Sequence, residues 1–244
     1  MINKTFFDYA ILIFPELRDR IIRINDLIVT TRTKHMRSAS NYRFHQEMAQ
    51  VHKPNRRDYT IIKQPSELQI DADWRIVFAA NCDPLIVNAA KDLQDYFFTS
   101  MNISLTLAPG VPALAGSKSI ILAEIKDFPA PGFAMDHPGS FTLNATEEQI
   151  VICGSNPRNV FRGCIYLEDQ LNLREAPLLA KGNVKKEVMI SPRMVHSGWG
   201  IDLFPDSHLN AVAHAGFDAI VLFIKDIDTT TRGYCDINDL INRA

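Results

Sequence analysis

The chain has 244 residues, of which 46% are hydrophobic, and this is enough for one or two packed domains. Its formal charge of −2 leaves no overall field that would favour nucleic acid or an anionic membrane as a partner. The cysteines, Cys82, Cys153, Cys164 and Cys235, form no CxxC pair. Their spacing argues against a zinc cage or a disulfide framework and favours buried free thiols.

The first 58 residues form a predicted N-terminal extension with two helical patterns and a basic stretch. Its apolar run "FFDYAILIF" is broken by Asp8 and is too short to span a bilayer, so neither a signal peptide nor a membrane anchor is predicted. Residues 32–57 carry seven Lys or Arg and one Glu without an interleaved aromatic array, which predicts a solvated connector. The histidines His35, His45 and His52 lack metal-ligand spacing, so no metal is assigned.

Residues 59–187 are predicted to form a small α/β domain whose sheet follows from short apolar runs. Strands are predicted at 75–80, 103–108 and 119–125, and on both sides of the polar turn "NATEEQ". The polar stretch 174–187 contains Pro and Gly and is predicted to be a linker.

Two helices of this domain are predicted from their start signals. One begins at Pro84 after the N-cap Asp83, and the other begins at Pro157 after the N-cap Asn156. Their apolar stripes, in which Phe161 is taken as a core residue, place both helices on one face of the sheet.

The segment "IVICGSNPRN" also has the strand, turn and helix start of a generic anion site. Only Gly154 is present where a dinucleotide-binding fingerprint needs several glycines, so no cofactor is assigned. Arg158 and Arg162 are interpreted as solvated helix charges.

The final helix of the domain and the stretch "SPRMVHSGWGID" after it resemble the N-terminal half of family 20 glycoside hydrolases, the β-N-acetylhexosaminidases, and the related α-glucuronidase-type enzymes. The resemblance covers roughly residues 60–228. The positions that match the motif with which the family's catalytic barrel opens are Ser191, Pro192, Arg193, His196, Gly198 and Asp202. Ser197 stands where the family has a sugar-binding Arg.

The resemblance implies the fold class and the domain order. It predicts an α/β (α+β) protein with a small mixed sheet and two helices on one face, followed over 188–244 by the first two βα units of an incomplete (β/α)8 barrel. A complete barrel takes about 250 residues. The two barrel strands are therefore expected to pack on the free face of the small sheet or on another copy of the chain.

The resemblance also implies the function, that of the N-terminal portion of a glycoside hydrolase acting on glycan termini. The family's catalytic Asp–Glu pair lies on a later barrel strand, so no catalytic residue is assigned. Residues predicted to bind sugar at the barrel rim are His196, Trp199, Lys225, Asp226 and Asp228. The alternative is a non-catalytic structural or carbohydrate-binding module that supports a partner domain.

Overall fold

The computed structural model of the protein describes residues 50–127, 138–196, 205–221 and 241–243. All of them belong to one compact unit, Gln50–Ala244. The described strands are β1 (Glu67–Gln69), β2 (Arg75–Ala79), β3 (Thr106–Gly110), β4 (Ser119–Glu124), β5 (Ser140–Ala145), β6 (Gln149–Gly154), β7 (Leu178–Ala180), β8 (Gly182–Glu187), β9 (Met194–His196) and β10 (Ala219–Val221). The described α-helices are α1 (Pro84–Met101), α2 (Pro157–Arg174) and α3 (Asp206–His214).

The two long helices begin where the sequence predicts. The Asp83 carboxylate accepts a hydrogen bond from the Leu85 backbone N–H at 2.9 Å, and this caps α1. The Asn156 side chain accepts one from the Asn159 backbone N–H at 3.1 Å and caps α2 in the same way. Of the described helices, none has the length and hydropathy that crossing a bilayer would require.

Six strands form a mixed sheet in the order β3-β2-β4-β6-β5-β8. Strands β3, β2, β4 and β6 are parallel, whereas β5 runs antiparallel to both β6 and β8. The prediction of a linker over 174–187 is wrong, because Gly182–Glu187 pairs along the whole of β5. This edge strand is polar and mostly exposed, and its pairing rests on backbone hydrogen bonds, so no apolar pattern reveals it.

Both helices cover the same face of the sheet, as predicted. The apolar stripes of α1 and α2 and the inward side chains of β2, β4, β5 and β6 share one buried cluster. Gly163 allows this close packing, because a Cβ there would lie 2.4 Å from Cγ2 of Ile152. The opposite face also carries buried apolar side chains, from Val77, Ile121, Val151 and Cys153.

The described end of the predicted connector, residues 50–57, is only partly solvated: Lys53, Pro54 and Asn55 are exposed, but His52 is buried. The Asn55 backbone N–H donates to the Thr99 carbonyl at 3.2 Å, and the Arg56 N–H donates to the Ser100 carbonyl at 2.9 Å. The His52 side chain is hydrogen-bonded to Asp95 on α1 at 2.7 Å. This segment therefore lies against α1, which its charge pattern does not indicate.

Strands β9 and β10 and helix α3 form a strand–helix–strand unit, hereafter the βαβ unit. Strands β9 and β10 are parallel and pair Met194 with Ala219 and His196 with Val221, and α3 joins them. Helix α3 lies on the helix side of the small sheet and not on its free face, because its last residue, His214, contacts α1 and α2. The alternative expectation, that the two strands pack on another copy of the chain, stays a prediction. Residues 222–240, the rest of the predicted barrel opening, lie outside the described residues, as does the predicted helical extension over 1–49.

The assignment of Phe161 to the core needs correction. Its ring is only partly buried and stands edge-on to the His214 imidazole, with 5.7 Å between ring centroids. Phe161 therefore contacts the βαβ unit, whereas Phe97 on α1 is 0% exposed within the core.

Truncation of these two phenylalanines should separate the two roles. We expect Phe97→Ala to lower the free energy of unfolding by about 3–5 kcal/mol, because it leaves a cavity in a closed core. Phe161→Ala should cost less than Phe97→Ala, since the site can relax toward solvent. Urea unfolding followed by tryptophan fluorescence and far-ultraviolet circular dichroism measures both, and equal losses would contradict this assignment of roles.

Candidate functional site

Four side chains that are distant in sequence meet beside the outer faces of α1 and α2. His52 comes from the segment before the sheet, Asp92 from α1, Glu168 from α2 and His214 from the end of α3. One donor atom from each lies within 4.8 Å of one donor atom from each of the others. We call these four residues the His–carboxylate cluster.

The contacts within the cluster are close. Nε2 of His52 lies 3.6 Å from Oε2 of Glu168 and 3.8 Å from Oδ1 of Asp92. Nδ1 of His214 lies 3.5 Å from the same Glu168 oxygen. Nε2 of His214 is hydrogen-bonded to Oδ2 of Asp92 at 2.9 Å. Each imidazole therefore faces two carboxylates.

The most buried side chain of the cluster is Glu168, which follows the buried Cys164 by one helical turn on α2. Burial raises the pKa of Glu168 above its ordinary value, and the two histidines only partly oppose this shift. Its Oε1 atom has no hydrogen-bond partner among the described residues. A carboxylate in this position needs a cation beside it, since an unpaired buried charge is strongly unfavourable.

His52 has a third carboxylate partner, and this one lies outside the cluster. Its Nδ1 is hydrogen-bonded to Oδ2 of Asp95 at 2.7 Å, one turn along α1 from Asp92. Burial lowers the pKa of His52, but Glu168, Asp95 and Asp92 together outweigh burial and raise it to about 9. The imidazole is therefore protonated at neutral pH, although its Nε2 lacks a hydrogen-bond partner among the described residues.

Aromatic rings enclose the cluster on two sides. The Tyr96 ring stands edge-on to His52 at 5.6 Å between centroids, and its hydroxyl donates toward the Glu168 backbone carbonyl at 3.2 Å. The Phe161 ring covers His214. On the remaining side Asp92 and Asp95 line a groove of about 670 Å³ between α1 and α3. The cluster is thus buried but keeps a route to solvent.

The βαβ unit has a second attachment to α2, about Asp218. The Arg162 guanidinium donates to Oδ1 of this buried carboxylate, and the Arg193 backbone N–H donates to Oδ2 at 2.8 Å. The interpretation of Arg162 as a solvated charge is therefore wrong. Ser155 and Asn159 meanwhile donate to the Pro138 carbonyl at 2.6 and 3.0 Å, at the helix start considered as an anion site.

Of the five residues predicted to bind sugar, only His196 is described. It is the last residue of β9 and is exposed at the carboxyl end of that strand. Trp199, Lys225, Asp226 and Asp228 lie outside the described residues. His196 ends the first strand of the βαβ unit, whereas His214 ends its helix. His196 is not part of the His–carboxylate cluster.

No protein-family profile matches the chain, and no curated protein matches it. Matching solved structures are those of glycoside hydrolases. A GH20 β-N-acetylhexosaminidase from Streptomyces coelicolor A3(2) has a TM-score of 0.47 and 15% identity over 72% of this chain. The protein CpGH84D has a TM-score of 0.47 and 13% identity over 69% of this chain. The GH115 4-O-methyl-α-glucuronidase BtGH115A has a TM-score of 0.46 and 11% identity over 63% of this chain.

The chain spans only part of these enzymes: 35% of the GH20 enzyme, 37% of CpGH84D and 25% of BtGH115A. At these low identities no residue role is carried over from them.

The pKa of His52 predicts how stability depends on pH when no metal is present. Its folded pKa of about 9 exceeds the unfolded value of 6.5, so its contribution is complete below pH 6.5 and is lost as the pH rises through about 9. Urea unfolding in the presence of a chelator should show the difference in stability between wild type and His52→Ala shrinking over this range. A constant difference from pH 6 to pH 10 would contradict it.

The Asp218 contacts predict that the βαβ unit can be loosened selectively. Asp218→Asn should cost about 3–5 kcal/mol locally, because it leaves the Arg162 charge without its buried partner. Limited proteolysis and hydrogen exchange should then show faster cleavage and exchange over 188–221, with 59–187 still protected. Asp206→Asn on α3 is the matched control, since its exposed pair with Arg243 is worth at most about 1 kcal/mol.

Proposed function

We propose that this chain is the N-terminal part of a carbohydrate-active glycoside hydrolase, of the family 20 hexosaminidase or related α-glucuronidase type, that acts on glycan termini. One observation carries the proposal. Strand β9 lies within the stretch that resembles the opening of the family 20 barrel, and it is followed by α3 and by β10, which is parallel to β9. A parallel strand–helix–strand unit is the repeating element of a (β/α)8 barrel. Residues 188–244 would be the first two βα units of that barrel.

The exposure of the βαβ unit supports a larger barrel. No residue of α3 is buried, although the helix is amphipathic. Apolar side chains of the unit and its flanks also remain exposed, namely Met189, Ile190, Met194, Phe217 and Val221. In a complete barrel the strands and the inner faces of the helices are packed. Further βα units would cover these side chains, and without them the unit is an apolar surface prone to self-association.

The α/β domain over 59–187 would support this barrel and take no part in the chemistry. Its outer helix face holds α3 through the His–carboxylate cluster and holds the β9–β10 pair through Arg162 and Asp218. Because β9 and β10 are parallel, their carboxyl ends, at His196 and Val221, lie at the same edge. Barrel enzymes place their active sites at that edge, where Trp199, Lys225, Asp226 and Asp228 would bind the sugar.

The proposal is tested by the activity of two proteins. Residues 1–244 alone should hydrolyse no aryl glycoside, because the two carboxyl groups that flank a scissile glycosidic bond would lie on later strands. The complete gene product, with further βα units after residue 244, should hydrolyse at least one substrate in a panel of 4-methylumbelliferyl N-acetylhexosaminides and glucuronides.

Three results would contradict the proposal. One is turnover by residues 1–244 that is lost in Asp226→Asn or Asp228→Asn, which would place the chemistry within this chain. Another is a complete gene product that lacks further βα units after residue 244. A gene product that has these units but cleaves no member of the panel would contradict the proposal equally. Asp206→Asn, on the exposed side of α3, is the control for non-specific effects of removing a carboxylate.

A further inference from the structure

We propose that the His–carboxylate cluster binds one Zn²⁺ ion, which fastens the segment around residue 52 and helix α3 to the pair of helices α1 and α2. The ligands are one imidazole nitrogen each from His52 and His214 and one carboxylate oxygen each from Glu168 and Asp92. This site has a structural role that is independent of the proposed glycosidase activity.

The spacing of the donor atoms agrees with a four-coordinate ion. Zinc binds nitrogen and oxygen ligands at about 2.0–2.2 Å, so neighbouring ligands of a tetrahedral site are ~3.3–3.5 Å apart. Glu168 Oε2 lies 3.6 Å from His52 Nε2 and 3.5 Å from His214 Nδ1. Asp92 Oδ1 lies 3.8 Å from His52 Nε2. Only small side-chain movements are needed to close these distances around one ion.

An outer contact orients the His52 imidazole for metal binding. A metal-binding histidine usually donates its other ring N–H to a carboxylate, which fixes the ring and its tautomer. His52 has such a bond from Nδ1 to Asp95 at 2.7 Å, and its Nε2 then points into the cluster. His214 has no such outer partner among the described contacts, because its Nε2 is hydrogen-bonded at 2.9 Å to Oδ2 of Asp92, which is itself one of the four proposed ligands.

Two buried atoms lack hydrogen-bond partners, Nε2 of His52 and Oε1 of Glu168. His52 and Glu168 are each more than nine-tenths buried. A buried polar atom without a hydrogen-bond partner is rare, and it indicates that a bound ion or molecule supplies the partner. A cation between the two side chains displaces the proton of Nε2 to solvent, binds the lone pair that this leaves and neutralises the carboxylate.

The donor set selects the kind of ion. Two imidazoles favour Zn²⁺ and similar transition metals over Mg²⁺ and Ca²⁺, which prefer oxygen ligands. Two carboxylates balance the charge of a divalent ion. Asp92 lines the groove between α1 and α3, so an ion can enter from solvent.

The test measures zinc binding directly. Residues 1–244 are treated with a chelator, dialysed and titrated with Zn²⁺ against a chromogenic chelator, and bound zinc is counted by mass spectrometry. We expect one Zn²⁺ per chain, no competition from Mg²⁺ or Ca²⁺, and a higher melting temperature with zinc. Co²⁺ in place of Zn²⁺ should give the visible absorption of a tetrahedral site.

Variants identify the ligands. Glu168→Gln and His214→Ala should weaken binding at least about 100-fold, and Asp95→Asn, which alters only the outer contact to His52, should weaken it about 10–100-fold. His208→Ala, on the exposed side of the same helix α3, is the matched control and should bind zinc as the wild type does. Circular dichroism at the titration temperature checks that each variant is folded.

If Glu168→Gln does not fold, Asp92→Asn replaces it as the ligand variant in the zinc titration, because Asp92 is partly exposed. The proposal is overturned if the folded wild type binds no stoichiometric zinc. It is overturned equally if the ligand variants bind as tightly as His208→Ala. Either result would assign the cluster to a network of contacts between histidines and carboxylates without a metal ion. Neither result depends on whether the complete protein cleaves a glycoside.

Discussion

The buried carboxylate of Glu168 is the constraint on which the outer half of this structure depends. It is buried on α2, away from water, so its partners must come from elsewhere in the chain. They come as His52 from the leading segment and His214 from α3. Each brings its own stretch of backbone against the helices. One unfavourable charge thus determines where two separate parts of the chain lie.

The contact of Arg162 with Asp218 adds a second attachment of the same kind. It connects α2 with the turn before β10, and the Arg193 backbone N–H shares the same carboxylate. The helix layer is therefore two-sided: its inner side packs on the sheet through apolar stripes, and its outer side holds the βαβ unit mainly through charges. Such an arrangement would suit the proposed role of a leading domain that positions the first strands of a barrel, since charged contacts in partly buried sites are directional.

The parts of the fold that sequence predicts correctly are those governed by local rules. Asp83 and Asn156 cap their helices because a side-chain oxygen reaches the N–H groups of the next turn whatever else surrounds them. The edge strand Gly182–Glu187 escaped prediction because its pairing with β5 uses backbone groups that every residue carries. The predicted environments of Phe161 and Arg162 are wrong, because helical periodicity separates the apolar face of a helix from its polar face but does not predict what each face contacts.

The sequence by itself determined the two long helices and the apolar strands of the α/β domain, the shared face of the helices and the strand–helix–strand order after residue 190, because these follow from periodicity and capping within a few residues. Only the tertiary structure decided that His52, Asp92, Glu168 and His214 meet. Their sequence separations follow no ligand motif, and the one local signal was a glutamate one turn after Cys164 on a buried stripe. Sites assembled from distant segments depend on packing, which no short-range pattern encodes.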